Sequence, residues 1–457
     1  MKFAENAKLR YKAITQSKNI TELFENISWG MIEKLAFLTV VFFILSPVTQ
    51  ILNNIYSYAV YDIGYIYYST IESVNRIADI LGILTILLYA IKNRFEKYRL
   101  NSFIRDNRAA VFFTVFSALM IISTLINGFT DISLYGDSLR HESLFSYLRY
   151  FLIYYFCSSI IGNQKIKAVL EYLFVFGSIF MGILILYHIY VSHISFFLFP
   201  SREKSLTSIF IHFNHYGYYL VLAVLLSSSL FILEKNRILK SLCMISFILN
   251  NVILIVNNSL GSSLACFLGL IFNIIVLFIC NKKINIKSVL MFVLFIVIYA
   301  VMSIWYDTIL TNIISLFTDV GEIIKNPEKA DSAGTGRWKI WKIVMGYIKE
   351  KPFFGHGVDG IADRLFEATN DTERAHNAFL QCAAFFGIPS AVIYICGLMS
   401  VYLKGLKHKH ELDIYTITAL VAAFGYIVSS CFGNSMFYTS PFLFIFLGLG
   451  LTGKKHG

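Results

Sequence analysis

The apolar residues of this 457-residue chain occur in runs of about 15 to 25, which polar clusters separate. Runs of this length match the bilayer, because about 20 residues of helix cross its hydrocarbon core. A soluble fold would have to bury these runs on all sides, and a chain with only 15% charged residues supplies too little polar surface for that. The sequence therefore predicts an all-α, polytopic membrane protein.

We predict about twelve transmembrane helices in one integral membrane domain of residues 35–452, between a cytoplasmic N-terminal tail of residues 1–34 and a cytoplasmic C-terminal tail of residues 453–457. The predicted spans are residues 35–52, 77–91, 109–126, 143–161, 168–191, 216–233, 238–256, 260–280, 288–306, 376–403, 412–430 and 435–452. A long loop, residues 307–375, precedes the tenth span, and loops of this length are usually functional.

Basic residues favour alternate connecting segments, which hold 25 of the 39 Lys and Arg residues. The short loops between those segments hold only Arg76, Arg140, Arg202 and Lys204. Because cytoplasmic loops carry an excess of Lys and Arg, both termini are predicted in the cytoplasm and the 307–375 loop outside. The cytoplasmic flanks also account for the net charge of +11, so this charge does not indicate a nucleic-acid partner.

The long loop contains "GRWKIWKIVMGYIKEKPFFGHG", in which apolar residues recur at helical spacing. They are Trp338, Trp341, Met345 and Ile348, and Pro352 ends the run. The pattern predicts an amphipathic helix at the outer membrane interface, anchored by its two tryptophans.

Polar side chains gather at the predicted outer ends of the spans, where they need a cavity to shield them from lipid. They are Arg140, Arg149, Asn214, His215, Arg337, Arg374, His376, Asn377 and Gln381. Arginines bind phosphate oxygens, and a histidine takes a proton from a hydroxyl group near neutral pH. The clusters therefore indicate a site for a membrane-presented phosphate ester.

Several of these residues also have ordinary structural interpretations. Arg140 and Arg374 fit interfacial residues that reach toward water, and Arg149 lies only about 10 Å deep at 1.5 Å per residue. The spacing of His212 and His215 is also compatible with metal ligands, but no cysteine is nearby, and we predict neither a metal site nor a cofactor.

Two stretches resemble the O-antigen ligase and polysaccharide polymerase family of bacterial surface-glycan assembly. "GRWKIWKIVMGYIKEKPFFGHG" is similar to the family's Arg, Trp and Pro-x-x-Gly-x-Gly pattern, and "HNAFLQCAAFFGIPSAV" to its His-Asn pattern. "GDSLRHESLFSYLRY" and "FIHFNHYGYYL" look like weaker family segments upstream.

The resemblance implies a glycosyltransferase C-like membrane fold and metal-independent, inverting transfer from an undecaprenyl-pyrophosphate-linked glycan. It implies that Arg337 holds the pyrophosphate, that His376 is the general base and that Asn377 orients it. Arg140 would assist donor binding; Arg149, Asn214, His215, Arg374 and Gln381 complete the predicted substrate site. The implied location is the outer face of the bacterial cytoplasmic membrane, with a flippase and a chain-length regulator as further partners beside the acceptor and the lipids.

The chain departs from the family pattern at Leu260, where many members have an arginine after the serine that corresponds to Ser259. Arg149 or Arg374 would have to replace this cation. Polymerase and ligase share the motifs and differ in the acceptor. The chain has 26 Lys and only 13 Arg, which suggests an AT-rich genome. This composition favours a polymerase of capsule or exopolysaccharide over a ligase acting on lipid A core.

Two other classes remain open from the residues alone. A lipid-linked glycan transporter would also have about twelve spans, but it should show inverted repeats and polar groups on both sides. A scaffold for other glycan enzymes would make Arg337 and His376 replaceable.

Overall fold

The computed structural model describes residues 16–19, 22, 26–61, 69–95, 107–137, 141–190, 209–210, 212–304, 314, 318–319, 321–326 and 330–451, and within these ranges the chain contains no strand. The helices are α1 (Trp29–Tyr61), α2 (Ser69–Phe95), α3 (Arg108–Asn127), α4 (Asp131–Tyr135), α5 (Leu144–Tyr155), α6 (Gln164–Tyr190), α7 (Phe213–Leu233), α8 (Arg237–Val256), α9 (Leu260–Asn281), α10 (Ile286–Ser303), α11 (Arg337–Glu350), α12 (Ala362–Thr369), α13 (Ala378–Phe386), α14 (Ile388–Lys407), α15 (Ile414–Ser430) and α16 (Ser440–Leu449). A π-helical turn, Phe156–Ile160, continues α5.

The prediction of an all-α, polytopic membrane protein is confirmed. Nine of the described helices are long and apolar enough to cross a membrane, namely α1, α2, α3, α6, α7, α8, α9, α10 and α14. The helices α5, α15 and α16, in three other predicted spans, are shorter. The number twelve therefore stays a prediction, and most of the predicted N-terminal tail lies outside the described residues.

The predicted tenth span is two helices, because the chain breaks at Gly387 between α13 and α14. Gly387 has a φ of 88°, and a Cβ atom there would lie 2.1 Å from the carbonyl oxygen of Phe353. The backbone N–H of Ile388 donates to the carbonyl of Pro352 at 2.8 Å. The turn that follows α11 is thus docked on the break, where only glycine fits both the angle and the close approach.

The predicted loop helix forms as α11 and ends before Pro352. Of the predicted apolar residues, Ile348 is buried and Trp341 is partly buried, whereas Met345 is exposed. Ile340, Val344 and Tyr347 complete the buried face. This face packs against α12 and α13, so protein contacts decide which side of α11 is buried.

Helix α7 lies at the centre of the molecule, with nearly every residue buried. It packs against α6, α8, α9 and α15. Cβ atoms on Gly269 of α9 and Gly425 of α15 would lie 2.3 and 2.1 Å from Leu225 of α7, so glycine lets the helices approach closely. This packing gives the first turn of α7, which carries His215, a fixed position.

Arg149 of α5 forms a bidentate ion pair with Asp79 of α2. The distances are 2.8 Å from Nε to one carboxylate oxygen and 2.6 Å from Nη2 to the other. Both side chains are largely buried, and a buried charge is stable only when it is paired. The pair therefore joins α2 to α5 and commits the Arg149 guanidinium to a protein partner.

We predict that Asp79→Leu lowers the free energy of unfolding by about 3 kcal/mol, because it leaves the Arg149 charge buried without its partner. As a control, Arg76→Ala removes the exposed pair with Glu72 and should cost about 0.5 kcal/mol. Thermal unfolding in detergent measures both. The double variant Asp79→Leu/Arg149→Met should recover most of the stability, and no recovery would contradict the pairing.

Candidate active site

Arg337 begins α11 directly after Gly334, Thr335 and Gly336, which all have positive φ angles. Its Nη1 lies 3.4 Å from the carbonyl of Gly334 and 3.3 Å from the hydroxyl of Thr335. Burial lowers the pKa of the guanidinium, and the nearby Tyr218 hydroxyl opposes this shift. Arg337 is partly buried, and no carboxylate of the described ranges pairs with it.

His376 lies at the far end of the loop segment that begins with Arg337, residues 337–376. Its backbone has a φ of 47°, which is uncommon outside glycine. Its Nε2 atom lies 3.2 Å from the hydroxyl oxygen of Thr372. The preceding residue, Ala375, is fully buried: its N–H donates to Gln381 Oε1 at 2.7 Å, and its carbonyl accepts from Trp341 Nε1 at 3.0 Å. These two bonds fix the backbone from which His376 projects.

Trp341 connects the two main candidates. It follows Arg337 by four residues, so the two side chains share one face of α11. Its indole bonds to Ala375, the residue before His376. Gln381, which was predicted to bind substrate, is buried. Its side-chain carbonyl accepts a hydrogen bond from the backbone N–H of Ala375 and so supports the same backbone.

A row of aromatic rings leads from His376 into the core. His212 lies between His376 and His215. Its ring centroid is 6.4 Å from that of His376 and 5.4 Å from that of His215. His215 Nδ1 lies 2.8 Å from the hydroxyl of Tyr438, and its ring lies 6.4 Å from Tyr218. The structure therefore brings the start of α7 to the loop segment, as the sequence clusters suggested.

Both predicted asparagines make bonds within the protein. Asn377 is the N-cap of α13, and its Oδ1 accepts from the backbone N–H groups of Phe379 and Leu380 at 3.0 and 3.1 Å. Asn214 Oδ1 accepts from the hydroxyl of Ser259 at 3.0 Å, which joins α7 to the start of α9. Their roles toward a substrate stay predictions.

Arg374 is buried rather than reaching toward water, with 3% of its surface exposed. One of its amino groups forms a close ion pair with Asp359, and the other lies 3.6 Å from Asp137. The guanidinium also lies 5.3 Å from the centre of the Phe385 ring. Two carboxylates already balance this charge, which favours a structural role over substrate binding.

The Glu142 carboxyl group lies beside Arg374, at a small cavity also lined by Gln381 and Asn434. Burial raises the pKa of Glu142 to about 7, and the hydrogen bond from Tyr150 and the Arg374 charge oppose this shift. Buried polar side chains therefore extend from Arg374, two residues before His376, to Glu142 and Asn434.

The remaining predicted residue, Arg140, lies outside the described residues. The sequence did not single out Thr372, Tyr438 or Asp79, because their partners are fixed by tertiary contacts. The sequence predicts Trp341 as an apolar anchor, and its position four residues after Arg337 is the signal for a role beside the site.

The fold and these residues define an integral membrane protein with a polar site where one loop segment meets the start of α7. The family profile described as O-Antigen ligase matches residues 243–395, which is 153 of 457 residues and includes both Arg337 and His376. The match confirms the resemblance to the O-antigen ligase and polymerase family and supports a glycan-processing function at a membrane. No match to a curated protein is found.

We expect Trp341→Phe to lower the free energy of unfolding by about 1–3 kcal/mol, because the buried carbonyl of Ala375 loses its donor while an aromatic ring remains. Met345→Ala changes an exposed residue of the same helix and should stay within about 0.5 kcal/mol of the wild type. Thermal unfolding in detergent compares the two variants. Equal stability of the two would show that the indole bond does not hold the segment.

Proposed function

We propose that this protein is a glycosyltransferase that polymerises undecaprenyl-pyrophosphate-linked oligosaccharide repeats at the outer face of the bacterial cytoplasmic membrane. One observation carries the proposal: the Trp341–Ala375 hydrogen bond ties the helix that begins with Arg337 to the segment that holds His376. The bond thereby links the helix of a cation, which pairs with no carboxylate in the described part of the chain, to the segment that carries a positioned imidazole. The alternate segments that are rich in Lys and Arg are predicted to be cytoplasmic, which supports an outward-facing position for the 307–375 loop and the site.

In the proposed reaction His376 accepts the proton of an acceptor hydroxyl group, whose oxygen forms a bond to the anomeric carbon of the donor sugar. The bond from that carbon to the pyrophosphate oxygen breaks with inversion, and the leaving lipid pyrophosphate keeps the electron pair. Arg337 donates hydrogen bonds to the phosphate oxygens and stabilises the charge that develops there. The Thr372 hydroxyl holds the imidazole during this step.

An apolar groove supports a lipid-linked donor. It has a volume of about 540 Å³ and is lined by α9, α14 and α15. Its lining includes Phe379, three residues after His376, and Lys409, which lies beyond the end of α14. A polyprenyl chain in this groove would bring its pyrophosphate to the side of the protein that carries His376.

The second candidate function is that of a ligase, which moves the finished glycan to a terminal acceptor such as lipid A core. The description of the matching family, O-Antigen ligase, favours it. The product distinguishes the two, because a polymerase leaves the growing glycan on its lipid carrier. We place the polymerase first because the Lys-rich composition suggests an AT-rich genome, as in many bacteria without lipopolysaccharide.

His376→Ala and Arg337→Ala should each reduce polymer formation by at least about 100-fold, because one removes the base and the other the cation at the leaving group. The measurement is polymer length and amount in cells that express each variant at the wild-type level. His408→Ala and Arg364→Ala, which alter other partly exposed members of the same residue types, serve as controls and should retain normal polymer. Normal polymer in His376→Ala would contradict the assignment of the base.

Leu403→Trp places a large side chain in the apolar groove and should raise KM for the lipid-linked donor by about tenfold, because it occupies volume that the polyprenyl chain needs. Ile83→Trp adds the same ring to an exposed site on α2 and should leave KM unchanged. Initial rates at varied donor concentration in proteoliposomes give both values. The groove assignment fails if the two variants have the same KM.

A further inference from the structure

The hydroxyl group of Tyr218 is a buried polar group in the candidate site. The residue lies near the start of α7 with 2% of its surface exposed, and its oxygen has no hydrogen-bond partner among the described residues. A buried hydroxyl without a partner destabilises the fold, and a bound group can offset that loss. A ligand that accepts a hydrogen bond would do so.

Packing determines where this hydroxyl lies. The Tyr218 ring stacks on Tyr426 with centroids 4.8 Å apart and lies nearly parallel to His215 at 6.4 Å. At the hydroxyl end, a Cβ atom on Gly433 would lie 2.3 Å from the oxygen. The absence of a side chain at Gly433 therefore makes room for the hydroxyl.

The surroundings indicate the charge of the missing partner. Tyr218 belongs to the row of rings that ends at His376, and the Arg337 charge interacts with its hydroxyl. No described carboxylate pairs with Arg337, as shown above. An anion beside them would accept hydrogen bonds from both Arg337 and Tyr218 and would satisfy the two groups at once.

We propose that the Tyr218 hydroxyl donates a hydrogen bond to a phosphate oxygen of the lipid pyrophosphate that Arg337 binds. This assignment rests on the proposed function and adds to it a substrate-binding residue that the sequence patterns did not single out. Tyr216 offers a matched comparison, because it is on the same helix, is fully buried and also has a hydroxyl without a described partner. Its ring stacks on Phe210 instead of on the site histidines.

The test is binding of undecaprenyl pyrophosphate in detergent micelles, with undecaprenol as the uncharged comparison. Tyr218→Phe should weaken binding of the pyrophosphate by about tenfold and leave undecaprenol unchanged, since only one hydrogen bond to a charged group is lost. Its Tm should equal or exceed that of the wild type, because the removed hydroxyl has no partner in the protein. Tyr216→Phe should change neither affinity.

Gly433→Ala is a second variant that displaces the hydroxyl without removing it, and it should also weaken pyrophosphate binding. Wild-type affinity in Tyr218→Phe would overturn the inference, and so would a lower Tm or failure of that variant to fold, because either would mean that the hydroxyl has a structural partner. If the wild type itself does not prefer the pyrophosphate to undecaprenol, the proposed donor is wrong instead. The two failures are therefore distinguishable.

Discussion

The buried ion pairs of Arg374 are the interaction on which the site depends. Arg374 is only 3% exposed, and burying its charge without partners would cost several kcal/mol. Its guanidinium has Asp359 on one side and Asp137 on the other. These carboxylates belong to the turn after α11 and to the segment after α4. Arg374, two positions before His376, thereby pairs with two separate parts of the chain.

Backbone contacts complete this arrangement. The N–H groups of His356 and Gly357 donate to the carbonyls of Ala384 and Phe385 at 2.9 Å, so the loop segment caps the end of α13. The glycines of the Pro-x-x-Gly-x-Gly pattern are needed here, since a Cβ atom on Gly355 would lie 2.4 Å from the carbonyl oxygen of Phe385. The motif thus docks the turn that follows α11 on the end of α13, the helix that begins two residues after His376.

Hydropathy was sufficient to predict the membrane class and a helix near each predicted span, because the length of an apolar run reports directly on the bilayer. It could not predict the break at Gly387, which lies inside an apolar run and depends on the approach of Phe353 from another segment. The pairing of Arg149 with Asp79 was missed for a similar reason, since the two residues are 70 positions apart. The buried face of α11 depends on α12 and α13, whose positions no local pattern contains.

In the candidate site, residue type was informative and side-chain partners were not. Arg337 and His376 stood out because arginine binds phosphate and histidine accepts a proton near neutral pH, and because both lie in the stretches that resemble the family pattern. The bonds of Asn377, Asn214 and Gln381 to the backbone or to a serine could not be seen from their types, because amides cap helices and bind sugars with the same atoms.

The central claim is that Arg337 and His376 act on one lipid-pyrophosphate donor. The most direct measurement is the amount of free undecaprenyl pyrophosphate released by the purified protein in proteoliposomes supplied with the lipid-linked oligosaccharide. The account predicts one lipid pyrophosphate released for each glycosidic bond formed. Glycan that crosses the bilayer with its lipid linkage intact, and without release of the pyrophosphate, would contradict it and would indicate a transporter.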